Sequence, residues 1–115
     1  MEDVNMNRAH NTRAWVLWLL IASGQVAAQA GDVQTGRTKA QACAVCHGPN
    51  GVSSAPDAPH LAGQPAIYLA AQLKAYREGS RKHEVMAVMA KPLSDADIDH
   101  LAAWYNAIRI EAILP

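Results

Sequence analysis

This chain has two cysteines, and they stand three positions apart with a histidine directly after the second. The stretch reads "ACAVCHGPNG" and holds Cys43, Cys46 and His47. No other feature narrows the fold so far. Two thiols and an imidazole in one short turn suit a redox-active disulfide, half of a zinc site, or the anchoring of a prosthetic group. The rest of the sequence has to choose among them.

A structural zinc site takes four ligands, usually from two spaced pairs. Here there is one cysteine pair, and His60, His83 and His100 lack paired spacing. A thioredoxin-like C-x-x-C belongs beside a βαβ unit, and no strand pattern is visible. C-x-x-C-H is the attachment signature of c-type haem. Each thiol adds across one haem vinyl group to give a thioether. Two intervening residues let both sulfurs reach the two vinyls from one helical turn. His47 then lies under the iron and can bind it through an imidazole nitrogen.

The composition asks for such a group. There is no Phe, and Trp104 is the one tryptophan beyond residue 30. Alanine dominates the apolar residues. Domains this small usually need a disulfide, a metal or a cofactor to hold them. Acidic and basic side chains balance at 10 each, which argues against nucleic acid, since that needs a basic face, and against strong long-range steering.

The chain also divides. Arg8 and Arg13 precede the apolar run "AWVLWLLIA", and Ala28 and Ala30 flank Gln29 in an A-x-A pattern. Residues 1–30 read as a secretory signal cut before Gly31, and residues 31–115 as a single domain. The apolar run is too short for an anchor, because a bilayer span takes about 20 residues. The expectation is export to the periplasm, with no stable membrane anchor after cleavage. Glu2 and Asp3 sit where a signal wants positive charge. A start at Met6 leaves only basic charge, and Met6 is the expected initiator.

Within the domain the class is all-α. A first helix is expected from Asp32, a good N-cap, to Cys43, with Gly36 and Ala40 small on one face. The loop from Gly48 to Gln64 is rich in Gly, Pro and Ser, and a loop this long in a small domain usually wraps something. A second helix has Pro65 in its first position and Gly79 just past its end. Its stripe is Tyr68, Leu69, Gln72, Leu73 and Tyr76. "SRKHEVMAVMAKPL" is expected to be loop. A last helix opens at Ser94 with Asp97 as capping partner and turns Ile98, Leu101, Ala102, Tyr105 and Ile108 inward. The segment "RIEAILP" follows, with Ile110, Ile113 and Leu114 not confined to one face.

Taken together, these residues resemble the class I cytochromes c, in particular their small bacterial periplasmic branch, over nearly all of residues 31–115. The resemblance implies the cytochrome c fold: three to four short helices and long loops around one covalently bound haem c per chain. It implies attachment at Cys43 and Cys46 and an iron ligated by His47. Pro59, in "APHLAGQP", matches a proline whose carbonyl holds the other nitrogen of that histidine. Leu61 matches a leucine that packs on haem. "LSDADIDHLAAWY" resembles the closing helix, in which Leu101 and Trp104 cross the first helix at Gly36 and Ala40. In "EVMAVMAKPLSD", Met86 matches the second axial ligand and Met89 is the lesser candidate. His83 is expected at the solvent surface.

With both axial positions filled, no site remains for a substrate on the metal. The expected role is one-electron transfer, not catalysis, between redox proteins such as a dehydrogenase, a membrane complex or a terminal oxidase or reductase. A second expectation is a cytochrome subunit of a larger dehydrogenase, with the apolar C-terminal tail as the contact. A more remote one is a haem-based gas or redox sensor in which Met86 leaves the iron. Lys74, Arg77, Arg81 and Lys82 form the one basic cluster, suited to meet an acidic partner or the haem propionates.

Overall fold

The computed structural model describes residues 30–115. The expected signal segment and the choice between Met1 and Met6 lie, but for Ala30, outside the described residues. Among the described residues five α-helices run in order: α1 Val33–Lys39, α2 Ala44–His47, α3 Ala66–Glu78, α4 Glu84–Ala90 and α5 Asp95–Ala107. Among the described residues there is no strand, so the all-α expectation holds. No described helix is long and apolar enough to cross a membrane.

The Asp32 side chain accepts the Thr35 N–H at 2.7 Å and starts α1. The single helix expected as far as Cys43 is broken. After Lys39 the winding tightens into a 3-10 turn, Ala40–Ala42, before α2 begins. Such tightening satisfies carbonyls that a helix end leaves without partners. Here the Cys43 N–H reaches the Ala40 carbonyl at 3.0 Å.

α1 lies across α5, and three tethers hold the crossing. A Cβ on Gly36 would overlap the His100 carbonyl and come within 2.8 Å of the Trp104 Cβ. The Asp32 N–H donates to His100 Nδ1 at 2.7 Å. Lys39 pairs with Asp97 at 2.7 Å. The crossing of small residues against α5 is thus the one the sequence suggests. Ser94 and Asp97 form a reciprocal capping box, at 3.1 and 3.0 Å. Ile98, Leu101, Ala102 and Tyr105 are buried.

α3 packs on α5 from the other side. Pro65 stands one residue earlier than expected, as the N-cap with extended ψ, and Gly79 ends the helix at φ +81°. The buried set is narrower than the expected stripe. Leu69 is buried and Leu73 packs on the core, but Tyr68 is exposed. A stripe drawn by spacing alone is wider than the face one neighbouring helix covers.

α4 corrects an expectation, because Glu84–Ala90 was expected to be loop. Its cap is His83, whose Nδ1 accepts the Met86 N–H at 3.3 Å. Histidine is not among the usual capping residues, so the start carries no familiar signal. Lys91 is still helical in its backbone angles, and Pro92, which has no N–H to donate, cannot continue the ladder. His83 is exposed, as expected.

Candidate functional site

The motif lies on α2, and the long loop after it closes against α5; α4 carries the two candidate methionines. One helical turn carries the motif, with the His47 N–H bonded to the Cys43 carbonyl at 3.0 Å. The two cysteines are not joined to each other; Cys46 is exposed and Cys43 half-buried. Burial pushes the Cys43 thiol above its ordinary range, a neighbouring Tyr105 hydroxyl pulls it partly back, and Cys46 adds a smaller upward push.

His47 is buried, 7% exposed. Its Nδ1 lies 2.8 Å from the Pro59 carbonyl oxygen. A carbonyl can only accept, so Nδ1 carries the proton. In the neutral ring that leaves the Nε2 lone pair free to bind a metal, and a hydrogen bond of this kind fixes the tautomer and orientation of a ligating histidine.

The loop that delivers Pro59 is braced at several points. The Gly51 carbonyl accepts the N–H groups of Leu61 and Ala62, at 2.7 and 3.0 Å. The Ser53 hydroxyl donates to the Cys46 carbonyl at 2.9 Å, and the Ser53 N–H donates to His60 Nδ1 at 2.8 Å. Gly51 has φ +71°, and a Cβ there would meet the Tyr105 ring at 2.7 Å. The loop therefore closes against α5 only with glycine at this position.

α4 sorts the two methionines. Met86 and Ala87 are half-buried and Ala90 fully buried, so they share the inward face. Val85, Val88 and Met89 are exposed, Met89 to 38%. Leu61 is half-buried and packs against the buried cluster that includes Leu69, Leu101 and Tyr105.

The residues present fit a large flat apolar group held at this motif. Four of the eight buried apolar residues are alanines, and Ile98 is the one large side chain buried completely. Val45, Val52, Ile67 and Val85 stay exposed. A core this thin leaves room for a further apolar body. No three His, Cys, Asp or Glu side chains converge on a metal site among the described residues.

The basic cluster is partly committed inside the fold. Arg77 donates to the Leu93 carbonyl at 3.0 Å and to Asp95 at 2.7 Å. Arg81 donates to Gln72 and lies 4.7 Å over the Tyr76 ring. Sequence reasoning missed the packing of Cys43 against the cluster that holds Tyr105, and the His83 and His100 acceptor roles. The aspartates beside the last helix pointed to a cap, but nothing in the spacing marked the histidines.

Comparison with known proteins agrees with this geometry. A family model for cytochrome c matches residues 33–107, more than half of the chain. Cytochrome c-554(548) of Halomonas halodenitrificans is 46% identical over 81 residues, covering 68% of this chain and 98% of that protein. The thiosulfate dehydrogenase electron acceptor of Thiomonas intermedia is 43% identical over 72 residues, 62% of this chain and 33% of its own. The crystal structure of reduced cytochrome c4 from Pseudomonas stutzeri superposes with a TM-score of 0.66 at 39% identity, over 70% of this chain and 47% of the other. The chain thus spans nearly all of one relative and half or less of the other two.

Proposed function

The chain belongs to the cytochrome c family, and on that premise we propose that it is a periplasmic carrier of single electrons whose iron is held by His47 and Met86. It is an electron-transfer protein with covalently attached haem c. Bound haem supplies an Fe(III)/Fe(II) couple, and a thioether axial ligand together with burial raises its potential.

The protein's own residues do the rest. Cys43 and Cys46 provide the two sulfurs for attachment. His47 offers Nε2 while the Pro59 carbonyl fixes its ring. Met86, on the half-buried face of α4, would be the second protein ligand, and Leu61 would pack against the group. With two protein ligands on the iron, no position would be left for a substrate. Ligands that stay the same in both oxidation states keep the reorganisation on transfer small.

The observation that carries this reading is the His47–Pro59 hydrogen bond, because it presents Nε2 in ligating form from a buried ring. The test is expression with signal and haem-attachment machinery in a periplasm-bearing host. The expected product is red, with a c-type spectrum, both thiols consumed and an N-terminus at Gly31. A colourless product with free thiols would sink the reading.

A second reading makes the chain the electron-accepting subunit of a larger dehydrogenase. It is favoured by the likeness to a thiosulfate dehydrogenase electron acceptor and by Ile113 and Leu114, both exposed in the tail. Size-exclusion chromatography of the native protein separates the two, since a carrier elutes alone and a subunit with its enzyme.

A further inference from the structure

We infer that His60 and Ser53 are positioning residues for the redox centre: their hydrogen bonds hold the Pro59 carbonyl on His47 Nδ1 and thereby lower the reduction potential of the loaded protein. The inference rests on the reading of His47 as an iron ligand.

The hydrogen bonds form a closed circuit. His47 Nδ1 donates to the Pro59 carbonyl at 2.8 Å, across 12 residues of chain. His60 follows Pro59 directly, and its Nδ1 accepts the Ser53 N–H at 2.8 Å. The Ser53 hydroxyl donates to the Cys46 carbonyl at 2.9 Å, and Cys46 directly precedes His47. The circuit leaves the motif turn through the His47 ring and returns to it through the Cys46 backbone.

Packing does little to hold the acceptor in place. Pro59 and His60 are both exposed, and proline has no N–H with which to anchor itself. Polar ties must therefore fix this stretch. Downstream, the Gly51 carbonyl clamps the N–H groups of Leu61 and Ala62. Upstream, the His60–Ser53 bond closes the loop over seven residues. Ser53 is itself held, because its hydroxyl also accepts the Ala55 N–H at 3.0 Å.

Chemistry sets the role of each group. A backbone N–H can only donate, so His60 Nδ1 presents its lone pair to Ser53 and the ring proton sits on Nε2. A hydrogen bond from the free N–H of a ligating histidine raises the basicity of that ligand, and such bonding is a lever on haem potential. A more basic imidazole favours Fe(III). A firmly held Pro59 carbonyl thus lowers the potential, and a loosened one raises it.

The decisive experiment compares the haem-loaded wild type with His60→Leu and His60→Asn. Potentiometric titration gives the potential, and proton NMR of the reduced protein gives the solvent exchange of the His47 ring N–H. Asparagine places an oxygen acceptor about where histidine has Nδ1. His60→Leu is expected to show a higher potential and faster exchange, and His60→Asn to match the wild type in both. An unchanged or lower potential in His60→Leu would overturn the inference. So would equal shifts in the two variants, which would show an effect of the side chain's bulk alone. If His60→Leu fails to accumulate, Ser53→Ala removes the tie to Cys46 and leaves His60 intact. It should move potential and exchange in the same directions, and no movement overturns the inference. A colourless wild type fails the ligand reading and this inference with it, whereas a red wild type with insensitive variants fails only the role of His60 and Ser53.

Discussion

Gly36 of α1 lies so close to the His100 carbonyl of α5 that any side chain at position 36 would overlap it. Alanine normally improves an exposed helix position held by glycine by about 1 kcal/mol. Here the added methyl must push two helices apart, and overpacking costs about 1–3 kcal/mol. Gly36→Ala is therefore expected to lower stability by about 2 kcal/mol, read as a melting temperature roughly 10 °C lower. Gly79 supplies the contrast. Nothing lies within 4 Å of a Cβ there, but φ is +81°, so Gly79→Ala should cost about 1 kcal/mol through backbone strain alone.

Acid should loosen the same crossing. The Lys39 ammonium, then the Ser94 N–H and hydroxyl, hold the Asp97 carboxyl down at about 2. Arg77 lowers Asp95, and Thr35 lowers Asp32. A carboxylate whose folded pKa lies below its unfolded value stabilises above the unfolded value and loses that contribution as pH falls through the folded one. The loss should run from about pH 4 down to about pH 2. Helical circular dichroism at 222 nm should fall over that window. In Asp97→Asn the fall should be shallower, because the Lys39 pair is already gone.

How much of this was legible follows from which residues announce themselves locally. Cys43, Cys46 and His47 form a motif within one turn, and Asp32, Gly79 and Ser94 mark helix ends by their own chemistry. The Gly36 contact could be foreseen because a glycine inside a helix needs a reason. α4 was not legible, because its cap is a histidine and its apolar residues surround it on more than one side. The fit of the Tyr105 ring over Gly51 was invisible for another reason: the two residues lie far apart in sequence, and an apolar stripe treats tyrosine as bulk. The break after Lys39 is a change of winding that no residue type marks.

The C-terminal tail gives a test of association. Ile113 and Leu114 are exposed, and residues beyond Ile108 belong to no helix. Ile108 itself packs against the core. Removing residues 111–115 should leave the melting temperature within a degree or two, since surface changes away from packing features shift stability little. If the tail holds a partner, the same truncation should release the cytochrome from its complex in size-exclusion chromatography. An unchanged elution volume would remove the tail from any interface.

The basic cluster makes a quantitative point about docking. Arg77 and Arg81 are engaged by Asp95, the Leu93 carbonyl and Gln72, which leaves Lys74 and Lys82 to face a partner. Electron-transfer rates with an acidic partner should fall as salt rises, because screening shortens the reach of exposed charge. Lys74→Gln with Lys82→Gln should flatten that dependence. Arg77→Gln should act mainly on stability by freeing Asp95. A rate flat in ionic strength for the unaltered protein would exclude docking through this face.

The two methionines of α4 are separable by the face each occupies. Met86 lies on the half-buried side with Ala87 and Ala90, and Met89 among the exposed Val85 and Val88. If Met86 completes the axial pair, the reduced wild type should not bind carbon monoxide. Met86→Ala should open a position, bind carbon monoxide and lower the potential, because the thioether ligand favours the reduced iron. Met89→Ala should do neither. Carbon monoxide binding by the wild type would instead favour the sensor reading, since the ligand would then leave readily. The reverse pattern, with Met89→Ala opening the site, would require α4 to turn its exposed face inward when haem is attached, and would reassign the ligand.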